Sequence, residues 1–424
     1  MKPRIFYGWW VVGACLTISL FIQGIIGFGF TALIEPLSNK YGWSYTHISF
    51  ATSLRGLEVG VLAPFLGLLI DKWGTRIFIL SGTILCGLSM LVLSRVTTLP
   101  TFYMAFALIS LGMSALSPTV TMTTAANWFH HKIGKAAGIM HSGNGFSGLM
   151  LPVVVWLIDG YGIDRAMVVL GIFSVVIVAP IALIIRDRPE KYGLLPDGAT
   201  ALPSPTGKPA ESVAVEAAND FKLKEALRSR AFWYLAVAML FQLMLVNAVT
   251  THMMPYLTSI GIDRARASLV ASALPLTSVA GRLGFGWMSD RIDQRYIMAT
   301  GYAMMSVGML FFTLAILVNP LYLFPAVPIF SIGFGGNATV RASVVRDYFG
   351  RTSFGAIHGL VMGLAVLGNL AGPPLAGWVH DTWGSYQGIW LAFSGAAVIP
   401  LALMFAMRKP KTDSFSMPAN VPQP

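Results

Sequence analysis

The stretch Leu276–Arg295, LTSVAGRLGFGWMSDRIDQR, combines a charged residue in an apolar run with a polar turn that closes the run. The charge is Arg282, and the turn follows the spacing Gly286-x-x-x-Asp290-Arg291-x-x-x-Arg295. A charged side chain within a membrane helix is costly and usually marks a functional path. The stretch therefore predicts a membrane helix that ends at a polar loop, with Arg282 forming part of a transport path.

The polar turn is repeated in the first half of the chain, where Gly67-x-x-x-Asp71-Lys72-x-Gly74-x-Arg76 lies 219 residues earlier. Other pairs recur at nearly the same offset: Pro36 with Pro255, Gly42 with Gly261, Phe129 with Phe349, Pro152 with Pro373, and Gly162 with Gly384. Two parallel repeats of six helices predict a central cavity near the bilayer midplane. The second copy departs from the first, because Asp293 stands where Gly74 predicts a glycine.

Composition indicates a membrane protein. The chain has 424 residues, of which 55% are hydrophobic and 11% are charged, and its mean hydropathy is +0.68. A soluble domain carries roughly 25% charged residues. The net charge of +11 is expected to lie in cytoplasmic loops and not to bind nucleic acid. Cys15 and Cys86 both lie in apolar runs, so we expect no disulfide.

Hydropathy predicts an all-α integral membrane protein with twelve transmembrane helices in two six-helix pseudo-repeats. The predicted spans are 8–33, 47–70, 77–94, 101–127, 136–158, 163–185, 231–258, 266–288, 296–318, 320–345, 354–378 and 385–407. We predict an N-terminal bundle at 1–185, a cytoplasmic linker at 186–230, a C-terminal bundle at 231–407 and a cytoplasmic tail at 408–424. Within the linker, the run from Asp220 to Arg228 predicts a short amphipathic helix capped by Asp220.

Loop charges predict the orientation. Twelve spans place both termini on one side of the membrane, and 21 of the 29 Lys and Arg residues fall in the loops and tails of that side. Five fall on the other side: Lys40, Arg95, Arg165, Arg264 and Arg266. Because basic loops stay in the cytoplasm, we expect cytoplasmic termini in a plasma (inner) membrane protein. We also expect a monomer surrounded by lipid.

Several segments carry a family resemblance. They are Tyr7-Gly-Trp-Trp, Asn127-Trp-Phe, Gly134-Lys-Ala-Ala-Gly-Ile with Gly143-x-Gly145-x-x-Gly148 and Pro152, Arg188-Pro-Glu-Lys-Tyr-Gly-Leu-Leu-Pro-Asp-Gly198, and Asp347-Tyr-Phe-Gly-Arg with Gly372-Pro. With the paired loop motifs, they resemble the major facilitator superfamily over nearly the whole chain. More narrowly, they resemble its oxalate:formate antiporter and monocarboxylate transporter group. The resemblance implies two bundles that rock by alternating access, without a cofactor or catalytic residues.

The loop motifs are interpreted as gates. Asp71 and Asp290 are predicted at helix ends, beside the cations Arg76, Arg291 and Arg295. A carboxylate there can meet the positive end of a neighbouring helix, and basic side chains can bind it. Such contacts would close one face and release when the bundles rock. Simple anchoring of the helix ends by positive charge remains the alternative.

Four Asp, Glu, Lys or Arg residues lie well inside predicted helices: Arg55, Glu58, Arg282 and Arg341. A central arginine costs about 2.5–3.5 kcal/mol on insertion scales. Glu58 lies one turn from Arg55 and is the single carboxylate, so two positive charges remain for an anionic substrate to neutralise. Glu58 and Arg55 form either a proton-coupling pair or a permanent structural pair.

The resemblance also implies substrate-binding residues. In the monocarboxylate group a helix-8 arginine binds the substrate carboxylate, and Arg282 stands at that position here. Its planar fork suits both carboxylate oxygens. Ser278 stands one turn earlier, and His252 in the seventh helix resembles a substrate-contacting histidine of the group. Asn337 and Arg341 of the tenth helix would add a donor and a second cation. Structural roles remain open, including a backbone contact for Arg282 and an interhelical hydrogen bond for His252.

These observations predict a secondary active transporter of small organic anions, and favour proton-coupled monocarboxylate symport. An exchanger of monocarboxylates or dicarboxylates is the alternative, because two arginines can bind two carboxylates. A membrane enzyme is disfavoured, since the seven histidines are scattered and no carboxylates are paired. A cation exporter would need more membrane acids than Glu58. The pair His130-His131 lacks nearby carboxylate or cysteine partners, so we expect no metal site.

Overall fold

Eleven of the twelve predicted spans correspond to helical segments in a computed structural model of the protein, and the second is described only in part. The structure describes residues 6–56, 74–129, 133–187, 189–192, 194, 221, 223–289, 291–350 and 353–408. Nine helices within these ranges are long and apolar enough to cross a membrane. The other three are the second span, described over 45–56, and the fourth and fifth, which are broken into shorter segments. The prediction of an all-helical membrane bundle is confirmed.

The helices are labelled α1 to α12 in chain order. The first half comprises α1 (Tyr7–Ile22), α2 (45–56), α3 (Thr75–Leu93), α4 (Leu99–Ser114 with Pro118–Trp128), α5 (Ile133–Phe146 with Leu151–Tyr161) and α6 (Ile163–Phe173 with Ala179–Ala182). The second half comprises α7 (Arg230–Ser259), α8 (Arg264–Ser289), α9 (Gln294–Leu317), α10 (Leu323–Phe349), α11 (Phe354–Trp383) and α12 (Gln387–Ala396 with Val398–Ala406). A short linker helix, Leu223–Arg228, precedes α7, whereas its predicted cap Asp220 lies outside the described residues.

The first and last described residues, 6 and 408, lie on one side of the bundle, which we call the terminal face; the other side is the distal face. At the terminal face the Phe6 ring packs edge-on against Phe129 of the loop after α4. Arg295, at the start of α9, donates to the carbonyl of Met407 just after α12. Successive helices alternate in direction, so α1, α3, α5, α7, α9 and α11 all run from the terminal face to the distal face.

The sequence repeat is reproduced in backbone conformation. Gly42 follows the short helix Ile34–Tyr41 and Gly261 follows α7, and they adopt φ of 69° and 85°; Gly162 and Gly384 adopt 79° and 64°. These left-handed conformations favour glycine because it has no Cβ. The glycines of both pairs therefore share a positive φ, although ψ is 160° at Gly162 and 12° at Gly384.

The loop before α3 explains why the second copy of the polar turn lacks its glycine. Gly74 has φ of 83°, and a Cβ built on it would lie 2.6 Å from the carboxylate of Asp187. Asp187, which follows α6, accepts from the Arg76 amide at 2.8 Å and so caps α3. In the second half, Asp293 has φ of −53° and caps α9 itself by accepting from the Arg295 amide. Each half thus supplies a capping carboxylate by a different route.

Glycines let the two halves approach closely at α5 and α8. A Cβ built on Gly148 of α5 would lie 2.6 Å from Pro275 Cγ of α8, and one on Gly145 would lie 3.2 Å from the Pro275 carbonyl oxygen. Gly24 of the α1 continuation, a π-helical turn at Gln23–Phe28, makes the same kind of contact with the Ser147 carbonyl. Gly24, Gly145 and Gly148 therefore serve close helix packing.

Candidate functional site

The two halves meet along two helix crossings that begin at the distal face. At the first crossing, α5 packs against α8. The contact includes Gly148 with Ser272 and extends to Arg282, whose Nη1 donates to the His141 carbonyl at 3.3 Å. Beyond that level, Gly138 and Gly284 have open space where a side chain would be, within the described residues. Arg282 therefore marks the last described contact before α5 and α8 separate.

The second crossing joins α2 to α11. Asp381, near the end of α11, accepts from the amides of Tyr45 and Thr46 at 3.0 and 2.8 Å, so a carboxylate of the second half caps a helix of the first. Further along, Ser53 Oγ donates to the Asn369 carbonyl at 3.3 Å. A Cβ built on Gly56 would lie 3.0 Å from Asn369 Cβ, so α2 and α11 remain in contact to about the middle of the bundle.

A charge cluster, which we call the distal latch, joins the halves at the distal face. Arg264 of α8 bonds Glu35 Oε2 at 2.7 Å and Asp159 Oδ1 at 2.8 Å, and it donates to the Ala32 carbonyl at 3.2 Å. The carboxylates belong to the first half and the guanidinium to the second. A cavity of about 340 Å³ lies beside the latch and is lined in part by Asn39 and Ile163.

Lys40, a neighbour of the distal latch, has a shifted pKa. It pairs with Asp164 inside the first half. Burial lowers the pKa of the Lys40 ammonium, but its bonds to Asp164 and Tyr41 outweigh burial and raise the pKa overall.

The terminal side of the bundle is more open than the distal side. Among the described residues, every hydrogen bond that joins the halves lies between the distal face and the level of Arg282. On the terminal side of α11, nothing described lies within 4 Å of a Cβ built on Gly355, Gly359 or Gly363. A cavity of about 520 Å³ opens there, lined by Ala342, Ser343, Arg346 and Phe354.

Three arginines inside the bundle share one property: each makes a single long contact with a neutral group. Arg55 donates to the Ile26 carbonyl at 3.5 Å, and Arg341 contacts Met362 Sδ at 3.5 Å. Arg282 reaches the His141 carbonyl, while its buried Nε has no partner. Within the described residues, no carboxylate lies within 4 Å of any of the three guanidinium groups. Glu58, the predicted partner of Arg55, lies outside the described residues.

Arg282 and Arg341 lie on two helices that pack against each other, because Cβ atoms built on Gly281 and Gly286 of α8 would contact Ile332 and Thr339 of α10. The Arg341 side chain extends to α11, and the next two residues, Ala342 and Ser343, line the terminal cavity. The structure therefore brings these two predicted cations to the same region, where a bound anion would compensate both buried positive charges.

Ser278 and Asn337 are buried away from the terminal cavity. The Ser278 hydroxyl donates within α8 to the Pro275 carbonyl at 2.6 Å, and the residue packs against Gly335 of α10. Asn337 is fully buried against Gly301 of α9, and neither of its amide atoms has a hydrogen-bond partner among the described residues. Substrate contact remains a prediction for both residues.

His252 lies in the closed distal half of the bundle. Its Nε2 is 2.9 Å from both the Pro373 carbonyl and Ser49 Oγ of α2, and its Nδ1 is 2.9 Å from the Tyr386 hydroxyl. Because a carbonyl only accepts, Nε2 carries a hydrogen. His252 thereby links α2, α11 and the start of α12, and its predicted substrate contact remains untested by this arrangement.

The predicted gating cations make contacts within their own half. Arg291 lies over the Trp287 ring at 3.9 Å, and Arg295 donates to Met407 and to the Tyr296 hydroxyl. The Arg76 amide is bonded to Asp187. Asp71 and Asp290 lie outside the described residues, so gating by the polar turns remains a prediction.

Four contributors to the site were not predicted from the sequence: Asp381, Asn247 and Asn369 as polar contacts, and Arg264 as a latch. Arg264 carried a signal, since it is one of few cations expected in the distal loops. Asn247 and Asn369 are amides in apolar runs, which is also unusual in a membrane helix. Among the described residues, no three His, Cys, Asp or Glu side chains are grouped closely enough to hold a metal ion.

Comparisons with known proteins agree with this architecture. The model of the Major Facilitator Superfamily matches residues 16–263 and 244–420. Mouse monocarboxylate transporter 12 is 25% identical over 95% of this chain and 85% of its own, and bovine monocarboxylate transporter 13 is 24% identical over 98% and 92%. An uncharacterized MFS-type transporter of Escherichia coli, YhjX, is 22% identical over 77% of each chain.

Solved structures share the fold. A bacterial homologue of the human lysosomal transporter Spinster, in an inward-facing and unoccupied conformation, superposes with a TM-score of 0.70 at 14% identity. The alignment covers 96% of this chain and 97% of that one. The nucleoside transporter NupG also gives a TM-score of 0.70, at 14% identity over 93% and 99% of the two chains. The chain therefore belongs to the Major Facilitator Superfamily and is a membrane transporter, not an enzyme.

Proposed function

We propose that this transporter carries small organic monoanions, and that it does so as a proton-coupled monocarboxylate symporter. The observation that carries the proposal is Arg282, whose guanidinium lies where the halves separate and has no carboxylate partner among the described residues. An uncompensated buried charge costs several kcal/mol, so a bound anion would stabilise this region. A monocarboxylate fits because a guanidinium fork binds both oxygens.

The relatives add support from outside the chain. Two of the proteins that align with nearly its whole length are named monocarboxylate transporters. Their identities of 25% and 24% are too low to transfer a substrate residue by residue. The proposal therefore depends on the chain's own cations.

Anion exchange is the second candidate, and a separate observation favours it. Arg282 and Arg341 lie on the packed helices α8 and α10, and neither has a carboxylate partner among the described residues, so two carboxylates of one dianion would neutralise both. An exchanger needs an anion on every crossing but no titrating group. Response to a pH gradient distinguishes the two candidates.

Glu58→Gln is expected to separate transport from coupling. Glu58 is the predicted proton site, with Arg55 as its alternating partner and His252 as the other candidate. In proteoliposomes, the wild type should accumulate a radiolabelled C2–C6 monocarboxylate when the outer pH is lowered. Glu58→Gln should retain exchange of that substrate across the membrane and lose the accumulation, since an amide cannot carry the proton.

A parallel loss of exchange and accumulation in Glu58→Gln would indicate a structural Arg55–Glu58 pair. If the wild type itself ignores the pH gradient, the symport proposal is wrong and the exchanger takes its place. Glu225→Gln in the linker helix is a matched control, because it makes the same chemical change outside the bundle.

We further propose that both termini are cytoplasmic, in an inner (plasma) membrane. Alkaline phosphatase fused within residues 159–165 or 262–266 should be active, because phosphatase folds only outside the cytoplasm. Fusions within 190–220 should be inactive, as the 21 basic residues of the terminal side predict. Active phosphatase in the linker would reverse the orientation, and with it the assignment of the terminal face to the cytoplasm.

A further inference from the structure

Two amides form a polar pair in the middle of the bundle that the carboxylate site does not use. Asn247 of α7 donates through Nδ2 to the Leu243 carbonyl at 3.0 Å and also to Asn369 Oδ1 of α11. The carbonyl fixes the orientation of the Asn247 amide, and the Asn247 N–H then fixes that of Asn369. Asn247 Oδ1 and Asn369 Nδ2 are left as one acceptor and one donor.

These two remaining atoms have no hydrogen-bond partner among the described residues. Neither Asn247 Oδ1 nor Asn369 Nδ2 bonds to any described residue, and neither belongs to the fully buried unpaired atoms of the described chain. A contact that served only to join α7 and α11 would need no spare donor and acceptor. The pair can therefore offer one hydrogen-bond donor and one acceptor to a ligand in the space beside it.

The amide pair lies where the halves meet. Asn369 contacts Gly56 of α2 across the boundary, and Ser53 of α2 bonds its carbonyl. The described contact between α2 and α11 extends from the distal face to this level. The pair thus lies at the distal end of the space between the halves, near the bilayer midplane.

Spacing along α11 relates the amides to the cations. Arg341 contacts Met362, which lies seven residues before Asn369 on α11. Seven residues are two turns, so both lie on one face, about 10 Å apart along the axis. A ligand that bridges a cation near Met362 and the amide of Asn369 therefore needs a short carbon chain.

Among the described residues, the deep end of this space is polar but not cationic. Arg55 is the nearest charge in sequence to Gly56, yet its guanidinium turns to the Ile26 carbonyl of the α1 continuation. Consecutive helical residues point about 100° apart, so Gly56 faces Asn369 and Arg55 does not. A second carboxylate would find no positive charge at the amides, whereas a hydroxyl can both donate and accept there.

We propose that the Asn247–Asn369 pair is the second end of the substrate site, and that the preferred substrate is a short carboxylate with a hydroxyl at its far end. This inference rests on the proposed function, because the carboxylate is assigned to Arg282 and Arg341. The amides favour a substrate with a hydroxyl, because a substrate without it leaves the amide donor and acceptor without hydrogen bonds.

The test measures binding of butanoate, 4-hydroxybutanoate and succinate to the purified full-length protein by calorimetry. We expect 4-hydroxybutanoate to bind about five- to tenfold more tightly than butanoate, the gain of one net hydrogen bond. Succinate should gain nothing over butanoate. In Asn369→Leu, the preference for the hydroxyl should fall below about twofold while butanoate still binds. Asn39→Leu, the same change at an exposed distal position, should keep the preference.

Equal binding of butanoate and 4-hydroxybutanoate by the wild type would overturn the inference. This outcome needs no variant, so the test remains decisive even if Asn369→Leu does not fold. An unchanged preference in Asn369→Leu would overturn it as well. Tighter binding of succinate would replace it with a dianion site. If none of the three ligands binds, the proposed function fails together with the inference, whereas butanoate binding without discrimination leaves the proposed function intact.

Discussion

Arg282→Lys is expected to reduce monocarboxylate uptake by proteoliposomes by about thirtyfold or more. The loss of a buried charged hydrogen-bond partner costs about 2–5 kcal/mol, and every 1.4 kcal/mol is a tenfold change. One Nη of Arg282 already bonds the His141 carbonyl, and its buried Nε is unpartnered. A carboxylate can therefore bind along the remaining edge of the guanidinium, which a single ammonium cannot reproduce.

The same variant tests the structural alternative. If Arg282 only bonded the His141 carbonyl, a lysine would substitute, because an ammonium also donates to a carbonyl. Unchanged uptake and substrate affinity in Arg282→Lys would then show that the arginine is structural. Arg266→Lys is the matched control on the same helix, since the Arg266 side chain is 83% exposed at the distal face. Both variants should remain monodisperse and unfold at temperatures close to that of the wild type.

Arg264→Gln is expected to open the distal face. The change leaves Glu35 and Asp159 of the first half without their shared cation and removes three contacts between the halves. The Arg264 side chain is 21% exposed and its partners 27% and 40%, so solvent weakens these ion pairs. A net loss of about 1–2 kcal/mol would shift the balance between closed and open distal faces by roughly five- to thirtyfold.

Alkylation of a cysteine buried at the α5–α8 crossing measures this opening. Ser272→Cys is suitable, because Ser272 is 5% exposed and lies against Gly148. Cys15→Ala and Cys86→Ala remove the native thiols. A membrane-impermeant maleimide applied to the distal face should label the Arg264→Gln protein at least about fivefold faster. Lys40→Gln should have no such effect, because the Lys40–Asp164 pair lies within one half. Equal labelling of the two variants would contradict the role of the distal latch.

Hydropathy and the internal repeat predicted the bundle well because both depend on local chemistry. The predicted spans 231–258 and 266–288 differ by only a residue or two at each end from Arg230–Ser259 and Arg264–Ser289. The paired glycines at positive φ followed from the repeat, since a helix end of that geometry favours glycine in both copies. Helix breaks were harder to predict: Pro118 restarts α4 after Ser114, within one continuous apolar run.

The contacts between the halves were not predictable, because they join residues far apart in the sequence. Arg264 and Glu35 are separated by 229 positions, and Tyr45 and Asp381 by 336. Hydropathy indicated that Arg264 lies in a distal loop, but not which carboxylates face it. Likewise, the pattern that marked His252 as unusual gave no distance from Ser49 or Tyr386. Depth in the membrane can be estimated from one helix, whereas partners depend on how two helices cross.

The cap that Asp187 provides for α3 determines where the protein can be divided. Hydropathy ends the first bundle at residue 185, yet Arg186 lies between the rings of Tyr7 and Tyr192, at 4.2 and 4.1 Å. Leu194 donates its amide to the Pro189 carbonyl. A gene split for separate expression of the two halves must therefore carry the first fragment through residue 194. A fragment that stopped at 185 would leave the Arg76 amide without its carboxylate and Tyr7 without its cation.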